Sequence, residues 1–189
     1  MALDRGAVVR LCIDPGHGLH SSSPRHFDPG AVASSGEREA DIVLAFARTL
    51  RTVCVANGIE VFMTRVTNDQ PAPLVGRVQR ATEAGADVLL SLHCNAAVDP
   101  RAHGTETLYR ESREFAIEMQ RATLAALGLR DRGVKRRPEL AMLRFPKPCA
   151  LIELGFISNA EDRAVLLDAR SAPRFAAAIV VALAKEDWT

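Results

Sequence analysis

Short apolar runs alternate with longer stretches in which apolar positions recur every three or four residues, from one end of the chain to the other. Residues 8–13 are an apolar run closed by Asp14-Pro15-Gly16, which predicts a buried strand ending in a turn. Glu39, Ile42, Val43, Phe46, Leu50, Val53 and Cys54 mark one face of an amphipathic helix. Ser34 and Glu37 stand ahead of it at the spacing of a capping box, Asn57-Gly58 ends it, and residues 59–63 supply a second strand. The pattern repeats with a helix over 74–84 stopped by Gly85, a strand over 88–92, an alternating strand over 104–109 and a helix over 112–127 stopped by Gly128. A buried strand over 150–154 and helical segments over 160–167 and 173–185 complete it. Residues 18–36, rich in Ser, Pro and Gly, predict a loop of functional length. Such alternation implies an α/β domain whose largely parallel sheet is covered on both faces.

Composition narrows the picture. At 189 residues, with 48% hydrophobic and 25% charged residues, the chain is expected to form one ordinary domain over 1–189, without a linker or a separate wall-binding domain. No apolar run approaches the ~20 residues that span a bilayer, so no integral membrane association is expected. The first six residues lack the basic start and apolar stretch of a secretory signal. Twenty-four basic residues against 23 acidic ones give no electrostatic case for nucleic acid. The local cluster Arg130, Arg132, Lys135, Arg136 and Arg137 fits a solvated loop or a contact with an anionic polymer. Cys12, Cys54, Cys94 and Cys149 form no C-x-x-C pair and are expected to be reduced and structural.

Three reactive positions fall at the ends of apolar strands. His17 follows the first, His93 follows residues 88–92, and Glu153 lies near the end of 150–154. In open α/β sheets the ligand site lies outside the carboxyl ends of the strands, so these residues should converge. Two histidines and a carboxylate suit a catalytic zinc with one position left open. Glu37 and Glu39 compete for the third ligand. Glu39 shares the helix face of Ile42, Val43, Phe46 and Leu50, whereas Glu37 lies roughly 200° away at the ~100° per residue of a helix. Glu39 is therefore the expected ligand.

Such a centre acidifies water to a pKa of about 7 and polarises a carbonyl, but a separate group must take and return a proton. Glu153 suits that role, because Leu151, Ile152 and Leu154 should strip solvent from it and raise its pKa. A buried carboxylate paired with an Arg is its structural alternative, and Glu106 is a rival base. His20, His26 and His103 lie in loops without partners at ligand spacing and are expected on the surface.

The ordered motifs Asp14-Pro15-Gly16-His17-Gly18, Asp28-Pro29-Gly30-Ala31, Arg38-Glu39-Ala40-Asp41, Ser91-Leu92-His93-Cys94-Asn95-Ala96 and Glu153-Leu154-Gly155-Phe156-Ile157-Ser158-Asn159 resemble those of the zinc-dependent N-acetylmuramoyl-L-alanine amidases. Thr64-Arg65, Arg77 with Ala81, Gly133-Val134-Lys135 and Leu143-Arg144 add to the resemblance, which covers nearly the whole chain. It implies a single three-layer α/β/α domain around a central, mostly parallel sheet. It also implies Zn2+ held by His17, Glu39 and His93, with Glu153 as catalytic acid/base and peptidoglycan as the partner. The reaction implied is hydrolysis between the muramic acid lactyl group and L-alanine. Two departures stand out. Residues 19–27 are longer than expected for the family, and no regulatory insertion separates Glu106–Tyr109 from the helix at Ser112, which implies an open, constitutively active enzyme.

The alternatives are a zinc peptidase cutting within the stem peptide and an inactive wall-binding module. A monomeric, endolysin-like enzyme is expected, cytoplasmic until released to the wall. A trimmed form of a periplasmic or secreted enzyme is the alternative setting.

Overall fold

The apolar runs become the inner strands of a six-stranded sheet. A computed structural model describes residues 9–22 and 25–185, so Val8 and the N-terminal segment examined for a leader lie outside the described residues. The chain opens with β1 (Arg10–Pro15), a hairpin of β2 (Gly18–Ser22) and β3 (Arg25–Asp28), and α1 (Glu39–Ala56). β4 (Glu60–Met63), α2 (Leu74–Glu83), β5 (Val88–Asn95), β6 (Thr105–Tyr109) and α3 (Arg113–Leu127) follow. β7 (Asp131–Arg136), a 3-10 turn (Ala141–Arg144), β8 (Cys149–Phe156), α4 (Ala160–Leu167) and α5 (Ser171–Leu183) complete it. The sheet order is β4-β1-β5-β8-β6-β7, and only the β6–β8 pair is antiparallel.

Side chains along a strand alternate between faces, and here each face meets its own cover. Leu11 and Ile13 of β1, Leu90 and Leu92 of β5, and Ala150 and Ile152 of β8 pack under α1, α3 and α5, with Phe46, Phe115 and Phe175 at the centre. On the other face Cys12, Leu89, Cys149 and Leu151 meet Ala81 of α2 and Met142 and Leu143 of the 3-10 turn. The result is the three-layer α/β/α fold, with one cover much thinner than the other. All four cysteines are buried and free.

The structure departs from the sequence reading in four places. Residues 18–36 are not one loop, because the hairpin β2–β3 occupies their first half. The basic cluster lies largely on the edge strand β7. β5 runs on past its apolar stretch, so His93 sits within the strand instead of following it. The Ser34–Glu37 capping box does not form, since α1 starts at Glu39 after an Arg38 cap with no side-chain hydrogen bond.

Candidate active site

Strand register aligns three of the singled-out residues. His93 of β5 lies opposite Glu153 of β8, and Glu153 lies opposite Glu106 of β6, so the three form a row across adjacent strands. His17 sits just beyond β1, and Glu39 is the first residue of α1. Glu39 Oε1 lies 3.0 Å from His17 Nε2 and 2.9 Å from His93 Nδ1. The possible donor atoms of these three residues all fall within 4.8 Å of one another. The amide of Cys94 donates to the same Glu39 oxygen at 2.9 Å, and that of Ala31 donates to Oε2 at 2.8 Å. Both carboxylate oxygens are thereby fixed.

Close packing of the rings depends on two glycines. A Cβ on Gly16 would stand 2.3 Å from His93 Cε1. One on Gly30 would stand 2.6 Å from Glu39 Oε2, at a φ of 68° that L residues rarely adopt. Asp28, at the end of the hairpin, lies 2.7 Å from His17 Nδ1 and also accepts the Gly30 amide at 2.8 Å. Carboxylates placed behind an imidazole in this way orient the ring. Asp28 belongs to one of the quoted motifs but was not singled out as a site residue.

His17 itself has a φ of 62°, the left-handed region. Buried charges hold that turn. Arg77 donates to the carbonyls of Pro15 at 2.8 Å and His17 at 2.6 Å, and pairs with Asp14 at 2.9 Å. Arg65 donates to the carbonyls of Pro15 at 3.0 Å, Gly16 at 2.7 Å and Ala40 at 3.0 Å. It thus ties the His17 turn to the first turn of α1, which carries Glu39. Thr64 and Ser91 donate to Asp14 at 2.5 and 2.7 Å. A strained turn persists only when its surroundings over-determine it, as here.

The four carboxylates differ in charge preference. For Glu39, burial favours the neutral form, but hydrogen bonds from His17 and His93 outweigh it and hold the group well below the usual range. Burial likewise opposes a charged His17, yet Glu39 and Asp28 lift it to about 9. Asp28 is lowered, its hydrogen bonds from His17 and the Gly30 amide outweighing burial. Glu153 goes the other way. Burial raises it to about 7, the nearby Glu39 and Glu106 add to this, and its Oε2 has no hydrogen-bond partner. Glu106 is 6% exposed and pairs with Arg132 at 2.7 Å and Lys135 at 2.5 Å, which hold it down despite burial.

The remaining candidates lie apart or change role. Glu37 precedes the helix instead of lying on its far face, and accepts from Ser35 at 2.5 Å. His26 is exposed, and His103 sits 2.8 Å from the Arg101 carbonyl. His20 departs from the surface expectation, because the hairpin carries it to a cavity of about 120 Å³ shared with His17, Asp28, Arg77 and His93. A concavity of about 640 Å³ lies at the opposite end of β8 among Arg110, Arg113, Phe145 and Lys147.

A family model described as N-acetylmuramoyl-L-alanine amidase matches residues 11–185. The N-acetylmuramoyl-L-alanine amidase LytC of Bacillus subtilis (strain 168) is 35% identical over 165 residues, covering 84% of this chain and 32% of LytC. The chain therefore spans about a third of that relative's length. The catalytic domain of CwlV, an N-acetylmuramoyl-L-alanine amidase from Bacillus (Paenibacillus) polymyxa var. colistinus, matches with a TM-score of 0.83 at 32% identity, over 93% of this chain and 96% of that one. The N-acetylmuramoyl-L-alanine amidase of Clostridium difficile 630 matches at 0.83 and 29%, over 93% and 95%.

Proposed function

The chain belongs to the N-acetylmuramoyl-L-alanine amidase family, and from that premise we propose that it hydrolyses the amide between the muramic acid lactyl group and L-alanine in peptidoglycan. His17, Glu39 and His93 hold a zinc ion in this reading, and Glu153 is the acid/base. One observation carries it: a carboxyl group raised to about 7, one oxygen of which has no hydrogen-bond partner, stands one strand away from a converged His-Glu-His donor set. The donor chemistry fits, since two imidazoles and a carboxylate are the ligands of hydrolytic zinc, and Asp28 supplies the carboxylate behind His17. When bound, zinc supplies Lewis acidity that polarises the scissile carbonyl and acidifies the attacking water.

Glu153 takes the proton from that water and hands it to the departing amide nitrogen. A group with a pKa near the working pH serves both transfers. Glu106 is poorly suited to the task, because its two cations keep it ionised and weakly basic. Glu39 is equally unsuited, with both oxygens engaged.

Access supports action without an activator. β6 ends at Tyr109 and α3 starts at Arg113, so no inserted segment in that connection covers Glu153. His17 and His93 keep about a fifth of their side-chain surface open, at 22% and 20%. We therefore propose a constitutively active lytic enzyme, endolysin-like in that respect. The decisive experiment is digestion of purified peptidoglycan by the zinc-loaded chain alone, followed by mass spectrometry. New L-alanine N-termini on intact stem peptides are expected. Cuts inside the stem would instead favour a zinc peptidase, and binding without soluble product an inactive wall-binding module.

A further inference from the structure

The basic cluster divides once β7 is in place. Arg136 pairs with Glu111 at 2.8 Å and Arg137 with Glu139 at 2.5 Å, both beyond the far end of β6 from the site. Arg132 and Lys135 turn instead to Glu106, and both donate to its Oε2. Glu106 stands in register with Glu153, so these two cations gather on the carboxylate next to the acid/base.

The cations outnumber the carboxylate. Glu106 Oε1 also accepts from the Asn95 amide at 3.2 Å, and its single negative charge faces two positive ones. Arg132 is anchored, with its guanidinium carbon 4.8 Å from the centre of the Phe156 ring and Nη1 3.4 Å from the His103 carbonyl. It would neutralise Glu106 alone. Lys135 adds a second charge on a flexible stem that is 41% exposed, and its ammonium has donors left over after Glu106.

We propose that Lys135 and Arg132 form a subsite for a carboxylate on the stem peptide, and that they make the enzyme favour stems in which that carboxylate is free over stems in which it is amidated. The proposal rests on the amidase reading given above. Its spacing is consistent with the substrate. Neighbouring strands lie ~4.8 Å apart, so β7 is roughly 10 Å from β8. An extended peptide covers ~3.3–3.6 Å per residue. With the scissile amide over Glu153 of β8, the second or third residue of the stem reaches β7. Glu106 holds the two cations in place when the subsite is empty, and the surplus charge attracts the incoming carboxylate.

The test uses two synthetic muramoyl-peptides that differ only in whether the acidic residue after L-alanine is free or amidated, with the zinc-loaded full chain. Wild type should cleave the free form with the higher kcat/KM. Lys135→Gln should lower kcat/KM on the free form about five- to tenfold more than on the amidated form, mainly through KM, and Lys135→Arg should restore the preference. Circular dichroism and zinc content verify that the variants are folded. Equal wild-type kcat/KM on both forms overturns the subsite and leaves the amidase reading standing. So does an equal loss on both forms in Lys135→Gln. Failure of wild type to cleave either form at the muramoyl–alanine amide overturns both.

Discussion

The site is built from two charged regions that obey opposite rules. Behind His17 and Glu39 lie Asp14, Arg65 and Arg77, each under 3% exposed: Asp14 accepts from Arg77, Thr64 and Ser91, and the two guanidiniums donate mainly to backbone carbonyls. Beside Glu153 lie Glu106, Arg132 and Lys135, in which a buried carboxylate meets two cations with 29% and 41% of their side-chain surface open. The first region also sets two cations against one carboxylate, but both guanidiniums are buried and their hydrogen bonds are used up inside the protein, which leaves little freedom. The second has the same ratio with its cations part-open to solvent, and beside it Glu153 Oε2 has no hydrogen-bond partner. Buried charge fixes backbone geometry here, and half-exposed charge is left to meet a substrate.

The sharpest break of this comparison would come from Glu153. Gln is nearly isosteric, so Glu153→Gln should keep the fold and bind zinc, yet it cannot accept the water's proton. Loss of a positioned acid/base costs ~10²–10⁴-fold in rate, and the upper end is expected because one group serves both transfers. Single-turnover release of L-alanine N-termini by a zinc-loaded sample measures it. Turnover within tenfold of wild type would move the role elsewhere.

The buried region should respond in stability. Replacing one partner of a buried ion pair leaves the other charge unmatched, at a cost of about 3–5 kcal/mol. Arg77→Met should destabilise by that amount in a denaturant melt, because Asp14 is then stranded and the His17 carbonyl loses its donor. Zinc affinity should fall as well, since the turn loses one of its two braces. Lys135→Gln should cost about 1 kcal/mol at most, as half-exposed pairs do. If both substitutions cost the same, burial does not divide the two regions.

How far these regions were legible in the sequence follows from the same contrast. His17, His93 and Glu153 were visible because each interrupts or ends an apolar run, and strand ends collect ligand-binding groups in α/β sheets. Glu39 was visible by its helix face, although Glu37 proved to lie outside the helix altogether. Arg65 and Arg77 stayed illegible as buried braces, since arginine is by default an exposed residue and nothing local marks a buried one. The family resemblance included them without a role. The hairpin β2–β3 was hidden because Ser, His, Arg and Asp in residues 18–28 show no apolar alternation. β7 was hidden for the same reason, being a basic edge strand with only Val134 as an apolar residue. Charged edges resist unwanted pairing, at the expense of any hydrophobic signature.

A smaller effect sharpens the electrostatic side. Burial lifts Glu153 from the ordinary 4.5 to about 7 in the folded chain, so the folded state holds this proton more tightly than the unfolded one. Its contribution to stability is full below about 4.5 and is lost as pH rises through about 7. In metal-free protein at pH 8, Glu153→Gln should therefore melt above wild type, and the gap should close below pH 4.5. Equal midpoints at pH 8 would mean that the carboxyl is solvated or paired.

The smallest expected effect is at Glu37, and it tests the assignment of the ligand. Glu37 and Glu39 are two residues apart, of the same type, and separated only by where α1 begins. Glu39 is 3% exposed, with two histidines and two backbone amides on its oxygens. Glu37 accepts from Ser35 and lies 3.8 Å from Arg163, with 31% of its side chain open to solvent, so water can replace what those partners give. Glu39→Ala, like His93→Ala, should lose zinc in metal analysis and lose activity with it. Glu37→Ala should match wild type in zinc content, turnover and melting midpoint within the error of the measurements. The reverse pattern, with zinc lost from Glu37→Ala and kept by Glu39→Ala, would show that the carboxylate wedged between the two imidazoles is a structural hydrogen-bond acceptor and no ligand at all.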